Sequence, residues 1–150
     1  MIISAFFAFL HFIAVFGIFC TVFLEWQTIS PSPSYAEARR IQLCDLWYGI
    51  FAVVVLVVGF MRVYHFEKGH SFYIASPFYY LKLTLFILVG LISIYPTVRF
   101  IKWRSQTNIG QAPTLSEQEY KRIVNILRAE LLLLLGMALF ASLMARAVGV

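Results

Sequence analysis

The chain has 150 residues, of which 61% are hydrophobic, 17% aromatic and only 13% charged, with a formal net charge of +5. A soluble domain carries roughly 25% charged residues, so this composition excludes a soluble enzyme and indicates an integral membrane protein. The basic residues lie beside apolar runs rather than on a polar surface, which makes the charge a topology signal and removes nucleic acid as a partner.

The first helix is predicted over about residues 2–25, its apolar run from Ile2 to Leu24 covering roughly 34 Å at 1.5 Å per residue, enough for a bilayer core. It has no basic flank, and the run is longer than the core of a signal peptide, so a retained helix is expected. At 100° per residue Ser4, His11, Ile18 and Glu25 share a narrow sector that should face a bundle, while Cys20 points away. Cys20 and Cys44 lack metal-ligand spacing, and no structural disulfide is expected. The Ser-Pro repeats of Ser30 to Arg40 predict a loop, with at most a short interfacial turn carrying Arg39 and Arg40.

The second helix is predicted over about 45–65, with Asp45 as N-cap or first-turn residue and Arg62 at the far boundary. Gly49, Ala52 and Gly59 fall on the Asp45 side and should permit close helix approach. The connection from His65 to Ala75 is short and mixes Glu67, Lys68 and His70 with aromatics, so it should sit over the bundle end.

The third helix is predicted over about 77–100. Pro77 opens it at a position that needs no backbone donor. Lys82 lies inside the apolar run, where a cation costs roughly 3 kcal/mol unless it snorkels or finds a partner. Pro96 should loosen the last turn, and Arg99, Lys102, Arg104 and Trp103 read as a headgroup collar. A polar segment from Ser105 to Ser116 follows, irregular by virtue of Gly110 and Pro113. The fourth helix is predicted over about 117–147, started by a Ser116 to Glu119 capping box, with Arg128 and Glu130 snorkelling or paired at the boundary. The expected fold is thus a single all-α domain: four transmembrane helices in an antiparallel up-down-up-down bundle.

Of the twelve Lys and Arg, eight fall on the side of the first and third loops, so the positive-inside rule puts both termini outside, the periplasm in a Gram-negative cell. This topology brings His11, Arg62, Lys82 and Arg146 into the outer half of the bundle. Neutral imidazole in an apolar bundle is a good axial ligand for haem iron, which makes His11 the candidate metal ligand. The three cations could neutralise propionates or a substrate carboxylate. The structural alternative is that His11 donates a hydrogen bond to a neighbouring carbonyl while Lys82 snorkels to the headgroups. On the inner side Glu25, Asp45 and Glu130 face Arg39, Arg99 and Arg128, and structural ion pairing is expected there.

Several motifs carry a resemblance: DLWYG at Asp45 to Gly49, GFMRV at Gly59 to Val63, EKG at Glu67 to Gly69 and FYIASPFYYLK at Phe72 to Lys82. SIYPTVRFIKWR at Ser93 to Arg104, AELLLLL at Ala129 to Leu135 and LMAR at Leu143 to Arg146 complete it. Together they resemble a bacterial membrane family catalogued as domain of unknown function 2214, whose activity is unassigned. More distantly, AFLHFIAVFG at Ala8 to Gly17 and YYLKL at Tyr79 to Leu83 resemble the J-type protoporphyrinogen oxidase family (HemJ) and the related copper-resistance D membrane proteins. That resemblance implies a haem b-binding redox protein of the bacterial inner membrane, with His11 as the haem-binding histidine and Lys82 in the place of a functionally important lysine. A small bundle with Gly and Ala stripes also suits a non-catalytic accessory subunit docked to a larger membrane complex, or a homo-oligomer.

Overall fold

Four apolar stretches become four long helices, as the composition requires, and among the described residues there is no strand. The computed structural model describes residues 2–66 and 77–146. Helix α1 spans Ile2–Thr28 and α2 spans Tyr35–Met61, the latter running on into one π-helical turn at Arg62–Phe66. Helix α3 is Pro77–Lys102, α4 is the short Arg104–Thr107, and α5 is Glu117–Ala145. At 27 residues, α1 and α2 reach roughly 40 Å each, longer than the ~30 Å hydrocarbon core, and all four long helices are long and apolar enough to cross a membrane. Glu67 and His70, expected in a covering loop, lie outside the described residues.

Contacts between opposite ends establish the alternation of direction. His11 near the start of α1 lies against Gly59 near the end of α2. Asp45, early in α2, accepts a hydrogen bond from Thr97, late in α3. Phe78 at the start of α3 stacks on Phe140 near the end of α5, ring centroids 6.1 Å apart. The closest packing is within two hairpins, α1 on α2 and α3 on α5, and the pairs meet each other less intimately.

The start of α2 departs from the sequence expectation by ten residues. Ser34 caps it: the serine Oγ accepts from the Glu37 amide at 3.2 Å, and a Glu37 carboxylate oxygen accepts from the Ser34 amide at 2.7 Å. This reciprocal box satisfies two amides that helix geometry would leave orphaned, and it carries the helix through Arg39 and Arg40. Asp45 is therefore an interior residue rather than a cap. Ser116 caps α5 as expected, accepting from the Glu119 amide at 3.1 Å, but the Glu119 carboxylate turns to Arg99 at 3.5 Å instead of reaching back.

The core is concentrated at one end. The largest fully buried side chains include Phe100, Ile41, Ile123, Leu127 and Val22, all at the end that carries the basic residues. Trp103, expected in a headgroup collar, is 5% exposed and packs on Phe100 at 5.0 Å. It turns inward because α3 ends beside it and the chain bends into α4. Gln42 fastens that bend: its amide nitrogen donates to the Phe100 carbonyl at 3.0 Å, and its amide oxygen accepts from the Thr107 hydroxyl at 3.2 Å. A carbonyl released at a helix end inside an apolar core needs such a donor. Pro96 does not interrupt α3, which continues to Lys102.

Candidate functional site

On α1 the buried residues His11, Ala14, Ile18, Thr21, Val22 and Glu25 form one stripe. The spacing predicts this face, and it aims His11 into the bundle. His11 is 6% exposed. Its imidazole Cε1 would stand 3.4 Å from a Cβ at Gly59, an ordinary van der Waals contact that places the ring directly against α2. Of the small residues expected to mediate close approach on α2, Gly59 does so. Gly49 is exposed with nothing near it. The tight glycine is Gly17 on α1, where an added Cβ would meet the Phe51 ring at 2.6 Å.

His11 lines a chamber of about 560 Å³ between the two hairpins. Four further polar side chains reach it: Arg62 from the end of α2, Tyr79 and Lys82 from α3, and Ser142 from α5. The remaining wall is apolar, including Phe12, Leu56, Phe86, Leu134 and Met137. Each polar group has a local cause for its position. Arg62 closes α2, its amide bonded back to Val58 and Gly59, and its guanidinium lies over the Phe12 ring at 5.6 Å. The π-helical turn that begins there sends Val63 to the chamber wall as well. Tyr79 and Lys82 are three residues apart on α3 and therefore share a face.

The structure thus brings together three of the four residues expected to form the site. Arg146 is the exception: it is the exposed C-cap of α5, just past Met144 and Ala145, which do line the chamber. Sequence reasoning missed Tyr79 and Ser142. The i, i+3 relation to Lys82 could have found Tyr79, whereas Ser142 gives no such signal. A histidine, a lysine, an arginine, a phenol and a hydroxyl in an apolar chamber suit an amphipathic molecule with anionic groups at one end. The volume falls inside the roughly 300–1,000 Å³ range of ligand sites.

The polar cluster at the end of the bundle that carries the basic residues differs from the expected ion-pair network. Glu25 is 3% exposed and Glu130 1%, yet neither meets an arginine. Arg99 pairs with Glu119 and lies over the Tyr95 ring at 5.5 Å. Arg128 lies over the Trp26 ring at 5.8 Å, and Arg39 is exposed. The reason is helical phase: Glu130 falls on the buried stripe with Ile123, Leu127 and Leu134, while Arg128, two residues before Glu130 and so roughly on the opposite side of the helix, faces outward. Glu130 therefore does not snorkel. Among the described residues no three His, Cys, Asp or Glu side chains could together hold a metal ion.

Comparison with known families matches residues 3–149 to the model for a predicted membrane protein family, DUF2214, and the chain belongs to that family. Neither a curated protein nor a solved structure gives a match.

Proposed function

Taking a membrane protein of the DUF2214 family as the premise, we propose that the chain is a haem b-binding redox protein of the bacterial inner membrane, with both termini outside. The observation that carries this reading is the convergence of His11, Arg62 and Lys82 on a single apolar chamber of about 560 Å³. The residues suit the group. A nearly buried imidazole on the chamber wall is the kind of ligand haem iron takes, and the cations match a pair of carboxylates. His11 would hold the haem iron, Lys82 would serve as a second ligand or a propionate partner, and Arg62 would neutralise a propionate, whereas Arg146, placed outside the chamber, is left without the propionate role expected of it. Bound haem supplies one-electron chemistry, while the chain binds, orients and tunes it. Phe12, Leu56, Phe86 and Met137 keep the surroundings apolar, which strengthens each charge contact in the chamber.

The test is an absorption spectrum of the protein purified in mild detergent from haem-replete cells. A Soret band that disappears in His11→Ala is expected. No Soret band in the parent, together with no His11-dependent spectrum on adding hemin, refutes the assignment.

A second reading, that of an accessory subunit of a larger membrane complex or a homo-oligomer, draws on Gly49 and Gly90. Both are exposed, with nothing within 4 Å of an added Cβ, which leaves smooth helix surface where another chain could approach closely. Stoichiometric co-purification of a partner favours it, and a monodisperse monomer counts against it.

A further inference from the structure

Glu25 stands on the same stripe of α1 as His11, roughly 21 Å further along the axis. One oxygen of Glu25 and one of Glu130, Oε1 in each, are sealed from solvent with no hydrogen-bond partner. Asp45 is near enough to both for their charges to interact, and Glu130 acts on Glu25 in the same way. The trio comes from three different helices, so its assembly is a property of the fold rather than of one segment.

The groups around the trio come from every packed element. From α2, Cys44 and Tyr48 lie close enough to Glu25 for its charge to act on them. From α3, Thr97 donates to an Asp45 oxygen at 2.6 Å and Ser93 stands by Tyr48. Arg104 of α4 acts on Asp45, and Arg40 acts on Cys44. Among the described residues no Lys or Arg makes an ion pair with any of the three carboxyls.

A carboxylate sealed in an apolar interior without a partner must meet a cation or take up a proton, because the bare charge is far too costly to bury. Among the described residues no basic side chain pairs with these oxygens, and no group of three His, Cys, Asp or Glu could hold a metal ion. We propose that Glu25, Asp45 and Glu130 form a proton-binding site that loads and unloads at the inner boundary through Asp45. Asp45 accepts from Thr97, whereas Oε1 of Glu25 and Oε1 of Glu130 have no hydrogen-bond partner, so the bound proton resides on the Glu25 and Glu130 pair. A hydronium at the boundary gives up the proton, its O–H bond breaking to leave water as an O–H bond forms on a carboxyl oxygen, and release returns the proton to water as hydronium. The three groups titrate as a unit.

The location gives the site a direction. Tyr48 and Ser93 line a second cavity of about 210 Å³, and Ile18, Leu56, Phe86 and Leu134 line both it and the chamber. Proton site and chamber are therefore neighbours along one axis, the proton site on the inner side. The proposal is independent of what the chamber binds.

The test is infrared spectroscopy of the full chain in lipid nanodiscs. At neutral pH the parent should show the carbonyl stretch of a protonated carboxylic acid, shifted down in heavy water and lost at alkaline pH. Glu25→Gln or Glu130→Gln alone should weaken or shift that band, the double substitution should remove it, and potentiometric titration of the double variant should take up at least about one proton fewer per chain. Asp45→Asn should keep the band and slow its deuterium exchange several-fold. A parent with no such band overturns the proposal without recourse to any variant. So does a band that survives undiminished in the folded double variant.

Discussion

Replacing Gly17 by alanine should loosen the α1 and α2 hairpin by an amount that can be isolated from the intrinsic preference for helix. The new Cβ would stand 2.6 Å from Cδ2 and Cε2 of Phe51 and 2.8 Å from Cγ, closer than carbon atoms can approach. Cγ is fixed by the first side-chain torsion, so rotating the ring about its own axis brings no relief. The side chain has to swing away from α1, and the Trp47 ring, 5.7 Å off, borders that route. Overpacking of this kind costs about 1–3 kcal/mol. Alanine also gains up to about 1 kcal/mol over glycine inside a helix, a gain shared by any Gly-to-Ala change. Gly49→Ala meets nothing within 4 Å, so it carries the gain without the clash. Subtracting the two leaves Gly17→Ala less stable than Gly49→Ala by about 1–3 kcal/mol. Reversible unfolding in mixed micelles, followed by circular dichroism, measures the difference. Equal stabilities, or a more stable Gly17→Ala, would refute the packing argument.

Lys82→Met keeps the length of the side chain while deleting its charge, so it should insert at least as well as the parent, relieving up to about 3 kcal/mol. On the proposal that the chamber holds haem, it should also lose that haem or shift its absorption, and a full complement of cofactor with an unchanged spectrum would sink that expectation. Ser34→Ala removes the cap of α2 and should cost about 1 kcal/mol, seen as faster amide exchange in the first turn from Tyr35. Exchange as slow as in the parent would contradict it. Gln42→Leu leaves the Phe100 carbonyl and the buried Thr107 hydroxyl unpaired, and the unfolding assay should register about 1–3 kcal/mol for each group so stranded. A leucine variant as stable as the parent would mean that water or a rearranged α4 satisfies both.

Length and apolarity alone were sufficient for the four helices, because a bilayer admits few other solutions. The His11 face was equally legible, since residues 4, 11, 18 and 25 repeat at a spacing that only one side of a helix can present. The start of α2 was written in the sequence but read against the Ser-Pro repeats: Ser34 and Glu37 stand at capping-box spacing just after Pro33. Glu130 illustrates a different failure. Its neighbour Arg128 suggested a boundary residue, whereas its own phase with Leu127 and Leu134 assigns it to the core. Trp103 looked like a headgroup anchor by type, and only the bend after Lys102, held by a glutamine sixty residues earlier in the chain, turns it inward. The chamber was beyond local reading altogether. Its width depends on how far the two hairpins stand apart, a sum of many distant contacts with no signature in any one segment.

The lopsided distribution of packing makes the bundle mechanically uneven. Where Ile41, Phe100, Ile123 and Leu127 interlock and Gln42 bridges α2, α3 and α4, any relative movement of the hairpins would break close contacts and buried hydrogen bonds together. At the other end the same helices face one another across open volume, so a small rotation about the locked end changes the gap without disrupting comparable contacts. The bundle is built as a pivot with a stiff root and a compliant tip. On the proposal that the chamber binds a guest, one seated by His11 would adjust the spread of the helices to its own thickness, with the work of doing so not drawn from the interactions that hold the fold together.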